Sequence, residues 1–321
     1  MNEVSRPLES GSARGPVLVT GAAGFLGSRV VARLSAAGRH VVATDVVDDE
    51  RGRALAELPG VRFQAAELRD VETVTGLVAQ SDYVVHLAAV RSKASQGGGQ
   101  LPFDVNVGAT YSLLSAAAAT DLKGFVYGSS HLVYGDFADP TRWCEESDAT
   151  PVPDLSLYSA AKLASEAFVG AFSYKSGFDY LCLRFGGIYG PQAAPGSNTA
   201  IMTEMLASVD RGVAPVVNWS RDTKHCLIYV DDAARAVVAA VGFPASRMPI
   251  NVVDQPRTAE EIYSELLRLY GADPSTIQWN DQRSRYQQVR SNRLVEQLNC
   301  PPETTLRAGL ARIIEWYRAA G

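Results

Sequence analysis

The apolar positions of this chain fall into two periods. Short valine-rich runs recur through the first half: Val17-Leu18-Val19, Val41-Val42-Ala43, residues 61–66, Tyr83-Val84-Val85 and Phe125-Val126-Tyr127. Between them, segments such as 28–34 and the Ala- and Leu-rich stretch 104–120 space their apolar residues for helices. Strands that are apolar throughout, alternating with helices, predict a parallel sheet covered on both faces, a doubly wound α/β fold. The alternation runs to about Ile188 and then loosens. Residues 189–224 carry Pro191, Pro195, Gly196 and Pro215 around one helix, 199–211. Further helices are expected at 233–241, at 258–271 with a Thr258…Glu261 capping box, and at 306–319. The expected organisation is a polar tail at 1–13, a main domain at 14–188 to which 225–254 returns, and a smaller C-terminal lobe from 189–224 and 255–321.

The first run enters a glycine turn, Thr20-Gly21-Ala22-Ala23-Gly24-Phe25-Leu26-Gly27, which opens into the first helix. Strand, glycine turn and helix form a dinucleotide cradle. Gly21 permits the sharp turn, Gly24 lets a pyrophosphate approach the backbone, and Gly27 lets the helix lie close to the strand. The phosphates then meet free N–H groups at the helix start. The spacing Gly-x-x-Gly-x-x-Gly departs from the commoner Gly-x-Gly-x-x-Gly, and a glycine triplet alone also fits a structural turn. Asp45 closes the second strand at the distance expected of the acid that binds the adenosine ribose. A carboxylate there repels a 2′-phosphate and favours NAD over NADP, although Asp48, Asp49 and Glu50 crowd nearby. The turn Glu67-Leu68-Arg69-Asp70 follows the third strand; in such folds it lies beside the adenine, and Asp70 reads equally as a helix cap.

Composition changes this picture little. With 321 residues there is ample sequence for a large core. A net charge of −5 does not indicate a broad nucleic-acid or membrane footprint, and no apolar run is long enough to span a bilayer. Residues 1–13 lack a signal-peptide core, which points to the cytoplasm. Cys144, Cys182, Cys226 and Cys300 are scattered and read as reduced thiols. They and His40, His86, His131 and His225 show no metal-ligand spacing, so no metal is expected. His86 lies inside a strand pattern and reads as packed. The loop 90–103, with Ser92, Ser95, Gly97-Gly98-Gly99 and Pro102, follows a strand's C-terminal end; it fits a ligand cover and a plain surface loop equally.

Tyr158 and Lys162 stand at i and i+4, on one face of a helix. Free tyrosine has a pKa near ~10, and a nearby ammonium favours the phenolate. Such a tyrosine takes or returns a hydroxyl proton while hydride moves to or from a nicotinamide, and Lys162 can also hold the nicotinamide ribose. The spacing alone has little specificity. Ser130, at a strand end earlier in the chain, adds a hydroxyl to orient the substrate oxygen, with Ser129 its competitor.

With these residues in place the chain resembles the extended short-chain dehydrogenase/reductase family, the NAD-dependent epimerase/dehydratase group. The similarity rests on Thr20–Gly27, Asp45, His86-Leu87-Ala88-Ala89, Ser129-Ser130-His131-Leu132-Val133-Tyr134-Gly135, Tyr158 with Lys162, Arg184–Pro191 and Tyr229-Val230-Asp231-Asp232, in family order over nearly the whole chain. The resemblance implies a Rossmann sheet with a C-terminal substrate-binding lobe. It implies a bound NAD against Gly21, Ala23, Gly24, Phe25, Leu26, Gly27, Asp45, Leu68, Leu87, Ala88, Ala89, Tyr158 and Lys162. It gives Tyr158 the role of base, Lys162 that of its partner and Ser130 that of the orienting hydroxyl. It also implies a homodimer through helices 108–120 and 157–174, and a small-molecule substrate, typically a nucleotide sugar.

Sugar 4,6-dehydratases of this group carry Asp and Glu after the orienting hydroxyl; here they are His131 and Leu132. Leucine cannot take a C5 proton, which argues against dehydration, whereas 4-epimerisation needs only Tyr158, NAD and room for a ketosugar to turn over. His131 fits both a substrate contact and simple packing. Two departures bear on the substrate. The family's Asn, often a diphosphate contact, is Gly187, and an Arg that often holds phosphate is His225, followed by Cys226. Arg221, Lys224, Arg283 and Arg285 are candidate replacements. The expected substrate contacts are Ser130, His131, Gly187, His225 and Arg283. The expected function is NAD-dependent epimerisation at C4 of a nucleotide sugar; the alternatives are one-way dehydrogenation or reduction of a smaller alcohol or ketone such as a sugar acid, and a non-catalytic NAD-binding scaffold.

Overall fold

The computed structural model describes residues 15–90, 100–135, 137–148, 155–193, 197–244, 246–280 and 284–320. The expected tail at 1–13, most of the loop after residue 90, and Arg283 lie outside the described residues.

Seven parallel strands form the central sheet: β1 (Val17–Thr20), β2 (Val41–Asp45), β3 (Val61–Ala65), β4 (Tyr83–His86), β5 (Gly124–Ser130), β6 (Asp179–Phe185) and β7 (Arg247–Val252). Their spatial order is β7-β6-β5-β4-β1-β2-β3. The order reverses between β1 and β4, and ligands bind at such a switch point, outside the C-terminal strand ends. β1, β4 and β5 are buried at every position, which is why they read as unbroken apolar runs. β7 brings the late segment back to the sheet edge beside β6.

Helices cover both faces. α1 (Gly27–Ala36), α2 (Glu50–Ala56) and α3 (Val71–Val78) connect the first four strands. Asp49 and Asp70 cap α2 and α3 by accepting backbone N–H groups, so Asp70 acts as a cap. The expected helix 104–120 begins earlier and in another geometry. It runs from Gln100 through a π-helical stretch, Asp104–Ala109, into α4 (Thr110–Ala117). α5 (Leu157–Ser176) starts on Ser156, whose hydroxyl accepts from Ser159 N–H. Gly177 ends it in the left-handed conformation, with φ 86°.

A separate apolar cluster lies C-terminal to the sheet. Met202, Met205 and Leu206 of α6 (Asn198–Asp210) meet Ile262 and Leu266 and, near the C-terminus, Leu310 and Ile313. α7 (Val230–Ala240) instead packs Ala233, Ala236 and Val237 into the sheet's core. α8 (Ala259–Tyr270) carries the anticipated Thr258/Glu261 capping box. α9 (Asn292–Glu296) and α10 (Leu306–Ala320) close the chain. The four cysteines are buried and free, and among the described residues no helix is long and apolar enough to cross a membrane.

Candidate active site

The glycine turn caps the C-terminal end of β1. Gly21 has φ 67°, and a Cβ there would lie 2.7 Å from Ala88 N, against the end of β4. A Cβ on Gly27 would lie 2.0 Å from Gly21 O, so helix and turn touch through backbone alone. Around Gly24 only Gly21 backbone atoms come within 4 Å of the Cβ position, which leaves its other sides open to a ligand. No side chain caps the start of α1, and its first turn holds no acid. Ser28 N–H and Val30 N–H are bonded to Gly24 O and Leu26 O, and the positive end of the helix lies at this turn, where an anion is favoured. At the end of β2 the Asp45 carboxylate accepts from Ala23 N–H at 3.0 Å and from Val46 N–H at 2.8 Å. These features fit a dinucleotide: a bare backbone cradle for phosphates, with a fixed carboxylate beside it. Ala66 and Leu68 are buried nearby in the turn after β3.

His86 and its neighbours form a hydrogen-bonded chain whose direction can be assigned. The Thr110 hydroxyl donates to Asn106 O at 2.9 Å, so it accepts from His86 Nε2, also at 2.9 Å. His86 Nδ1 then accepts from Thr20 Oγ1 at 2.7 Å, and that oxygen accepts from Ala88 N–H at 3.3 Å. Burial, with the Lys162 charge adding to it, pushes the imidazole pKa down to about 3. This neutral, fully satisfied histidine ties β1 and β4 to the first turn of α4, as its place in a strand suggested.

The catalytic candidates meet where α5 crosses β5. Lys162 is 3% exposed and donates from Nζ to Gly128 O at 2.7 Å. The same nitrogen lies 4.8 Å from the Tyr127 ring centre and 5.9 Å from that of Tyr158. Burial lowers the Lys162 pKa to about 8, against the opposing pull of Glu166. Two residues beyond Gly128, Ser130 ends β5, and its hydroxyl accepts from Leu132 N–H at 3.2 Å. The anchored lysine thus brings the Tyr158 face of α5 to the strand end that carries Ser130. Ser129 is occupied: its hydroxyl donates to Glu166 Oε1 at 2.5 Å, and Glu166 is paired with Arg184 at 2.7 Å, both side chains buried. That leaves Ser130 as the hydroxyl available at this end.

The roles of several residues here escaped the sequence reading. Glu166 stands four residues after Lys162, on the same helix face; that spacing was its only signal. Arg184 continues to Tyr134 Oη at 3.0 Å, and Tyr134 donates to Asn251 Oδ1 at 2.8 Å, linking β6 and β7. Asn106, in the π-helical stretch, holds Val90 N–H and C=O at 2.7 and 2.9 Å, while its own carbonyl accepts from Ser165 Oγ at 2.8 Å. Irregular helical turns of this kind often occur at functional sites.

The substrate-side candidates are only partly brought together. A Cβ on Gly187 would lie 2.4 Å from Asn198 Nδ2. A carboxamide from the first turn of α6 thus occupies the space that an Asn at 187 would enter. Arg221 is paired with Glu260 at 2.9 Å, and Lys224 donates to Gln288 Oε1 at 2.6 Å. His225 sits on a short ribbon, Lys224–His225 against Arg257–Thr258, with Trp219 edge-on at 5.3 Å.

A seven-stranded parallel sheet with this switch point and a glycine turn at the end of β1 define a Rossmann-like α/β fold. The chain belongs to the NAD dependent epimerase/dehydratase family, which its sequence matches over residues 17–252. The family is NAD-dependent, and the protein is an enzyme of the extended short-chain type. It is 29% identical over 316 residues to a UDP-glucose 4-epimerase of Mycolicibacterium smegmatis, covering 94% of this chain and 98% of that one. It is also 29% identical over 324 residues to a dTDP-glucose 4,6-dehydratase of Actinoplanes sp., with coverage of 94% and 98%. Among solved structures it resembles MoeE5 in complex with UDP-glucose and NAD, at TM-score 0.82 and 27% identity over 95% of this chain and 99% of that one.

Proposed function

We propose that the protein is an NAD-dependent epimerase acting at C4 of a nucleotide sugar. The observation that carries this reading is the Ser130–Tyr158–Lys162 arrangement with aliphatic Leu132 beside it, a set with a proton acceptor for one hydroxyl and no side chain at 132 to remove a C5 proton. Bound in the Gly21–Gly27 cradle with its ribose on Asp45, NAD would supply the hydride acceptor and donor. Ser130 orients the C4 hydroxyl. Tyr158 takes its proton as the C4–H bond breaks, and Lys162 stabilises the phenolate. The 4-keto sugar turns over in the site, and Tyr158 returns the proton as C4 is reduced on its other face. The relatives' substrates support a nucleotide sugar, and the C-terminal cluster around α6, α8 and α10 is the natural lobe to hold it.

Gly187 and His225 favour a second reading, one-way dehydrogenation of a smaller alcohol such as a sugar acid. Both are tested by incubating NAD-loaded protein with UDP-, dTDP-, GDP- and ADP-hexoses and with free sugar acids. Epimerisation yields the C4 epimer of one nucleotide sugar with no net NADH. Net NADH from a free sugar acid, with every nucleotide sugar unchanged, would establish the second reading instead.

For the assembly we propose a homodimer through the outer faces of α4 and α5. Tyr111 there is 49% exposed and meets Phe168 and Phe172 edge-on at 5.5 and 5.3 Å.

A further inference from the structure

His86 finds a partner for each ring nitrogen; among the described residues, buried His131 and half-buried His225 do not. His131 directly follows Ser130 and is 5% exposed. Its Nδ1 lies 2.8 Å from Phe185 O. A carbonyl oxygen only accepts, so Nδ1 carries the hydrogen, and in the neutral ring Nε2 is a bare lone pair. That nitrogen is buried and has no hydrogen-bond partner among the described residues. The Gln287 side chain acts on the ring as a hydrogen-bonding neighbour, but no contact to Nε2 meets hydrogen-bond geometry. Burial holds the His131 pKa below the ordinary histidine value, against smaller opposing effects of Phe185 O and Gln287, so the ring is neutral near pH 7.

His225 reaches the same region from the ribbon of the other lobe. Its Nε2 is also buried, with no hydrogen-bond partner among the described residues. Burial, reinforced by His131 and Arg285, pushes its pKa to about 4. Buried polar atoms are rarely left unpaired, and each exception calls for a partner from outside the chain. Here two such nitrogens lie on rings close enough to feel one another, and one of the rings directly follows Ser130 in the chain.

Building on the proposed sugar substrate, we propose that His131 and His225 form the sugar end of the site, with His131 Nε2 accepting a hydrogen bond from a sugar hydroxyl adjacent to the reacting carbon. One consequence separates this from the pattern of relatives. A nitrogen with no proton cannot protonate a departing hydroxyl, so His131 does not take the place of a dehydratase acid. His225 is assigned to the sugar rather than to the phosphates, and the comparison of UDP with UDP-glucose below decides between the two.

The first test needs no substrate. Nitrogen-15 NMR of histidine-labelled, NAD-loaded protein at pH 7 is expected to show His131 protonated on Nδ1 alone. The opposite tautomer, or an imidazolium, overturns the proposal. The second test uses His131→Asn, which keeps a donor near Phe185 O but deletes the distal acceptor, and His131→Gln, which places an oxygen near the Nε2 position. UDP-glucose, UDP and D-glucuronate are the probes, with thermal unfolding as the control for folding. If UDP-glucose binds, His131→Asn and His225→Ala are expected to weaken it about tenfold or more, the size of one lost hydrogen bond. Binding of UDP alone stays unchanged, and His131→Gln recovers much of the loss. Equal weakening of UDP and UDP-glucose by His225→Ala would make that ring a phosphate contact, and unchanged binding of UDP-glucose in both variants would remove the sugar contact; either result overturns the proposal while leaving the nucleotide-sugar reading intact. If D-glucuronate binds and UDP-glucose does not, the nucleotide-sugar reading falls, and the same variants decide the proposal with D-glucuronate. If neither probe binds, the proposal is rejected.

Discussion

At the scale of single residues, the site depends on a lysine held in an unfavourable place. Lys162 is almost wholly buried, and its ammonium survives through Gly128 O, the faces of Tyr127 and Tyr158, and the nearby Glu166. Its charge is what makes a phenol usable as a base. Lys162→Met is therefore expected to lower the rate at pH 7 by at least about 100-fold, with partial recovery at alkaline pH. A pH–rate profile of the variant checks this; a uniform loss at every pH would mean that the lysine only shapes the site. The choice between Ser129 and Ser130 belongs to the same scale. Nothing in the dipeptide distinguishes them. The distinction comes from Glu166, which reaches Ser129 from α5, a contact between positions far apart in the chain.

At the scale of elements, the strands and the glycine turn were legible because their constraints are local. A strand buried on both faces must be apolar throughout, and a helix that touches a turn through backbone must carry glycine where Gly27 lies. The strand at 247–252 was not legible by that rule, because Arg247 is exposed and Asn251 interrupts its apolar run. The π-helical start of α4 was not legible either, because an extra residue in one turn leaves the apolar spacing almost unchanged. Nor was the contact between Asn198 and Gly187, which joins a strand to a helix through the absence of a side chain. The network that fastens α5 was hidden too, since buried charges are unusual and their partners lie on other elements. Ser129, Glu166, Arg184, Tyr134 and Asn251 join β5, α5, β6 and β7 through consecutive hydrogen bonds. Arg184→Met would strand the Glu166 carboxylate in the interior. Loss of one partner of such a pair typically costs about 3–5 kcal/mol. Chemical denaturation should show a loss of that order, together with weaker activity because the lysine on the same helix loses its footing. A loss below about 1 kcal/mol, the range of a surface pair, would show the network to be solvent-screened.

At the scale of the whole molecule, the buried histidines set the acid limit. The pKa of His86 is about 3 and that of His225 about 4, while His131 is also lowered from the ordinary 6.5. Between pH 6.5 and about 4 the unfolded chain therefore binds more protons than the folded one, and stability rises with pH across that window. Lys162 acts in the same sense between pH 8 and 10.5, where the unfolded chain again holds a proton that the fold releases. Melting temperatures measured from pH 7 to pH 4 should fall steadily, beginning near 6.5. The slope should be shallower in His225→Gln. A flat profile down to pH 5 would show that these rings are accessible to protons without unfolding.

The four thiols are spread across the architecture: Cys182 in β6, Cys144 and Cys226 in one small apolar cluster, and Cys300 at the edge of the sheet's core. All are shut away from solvent in the folded state. An alkylating reagent can reach them only when their surroundings open, and regions of a protein open with different frequencies. The native chain therefore carries its own set of clocks, at separate places in the fold, and the order in which they are struck would map how the enzyme breathes.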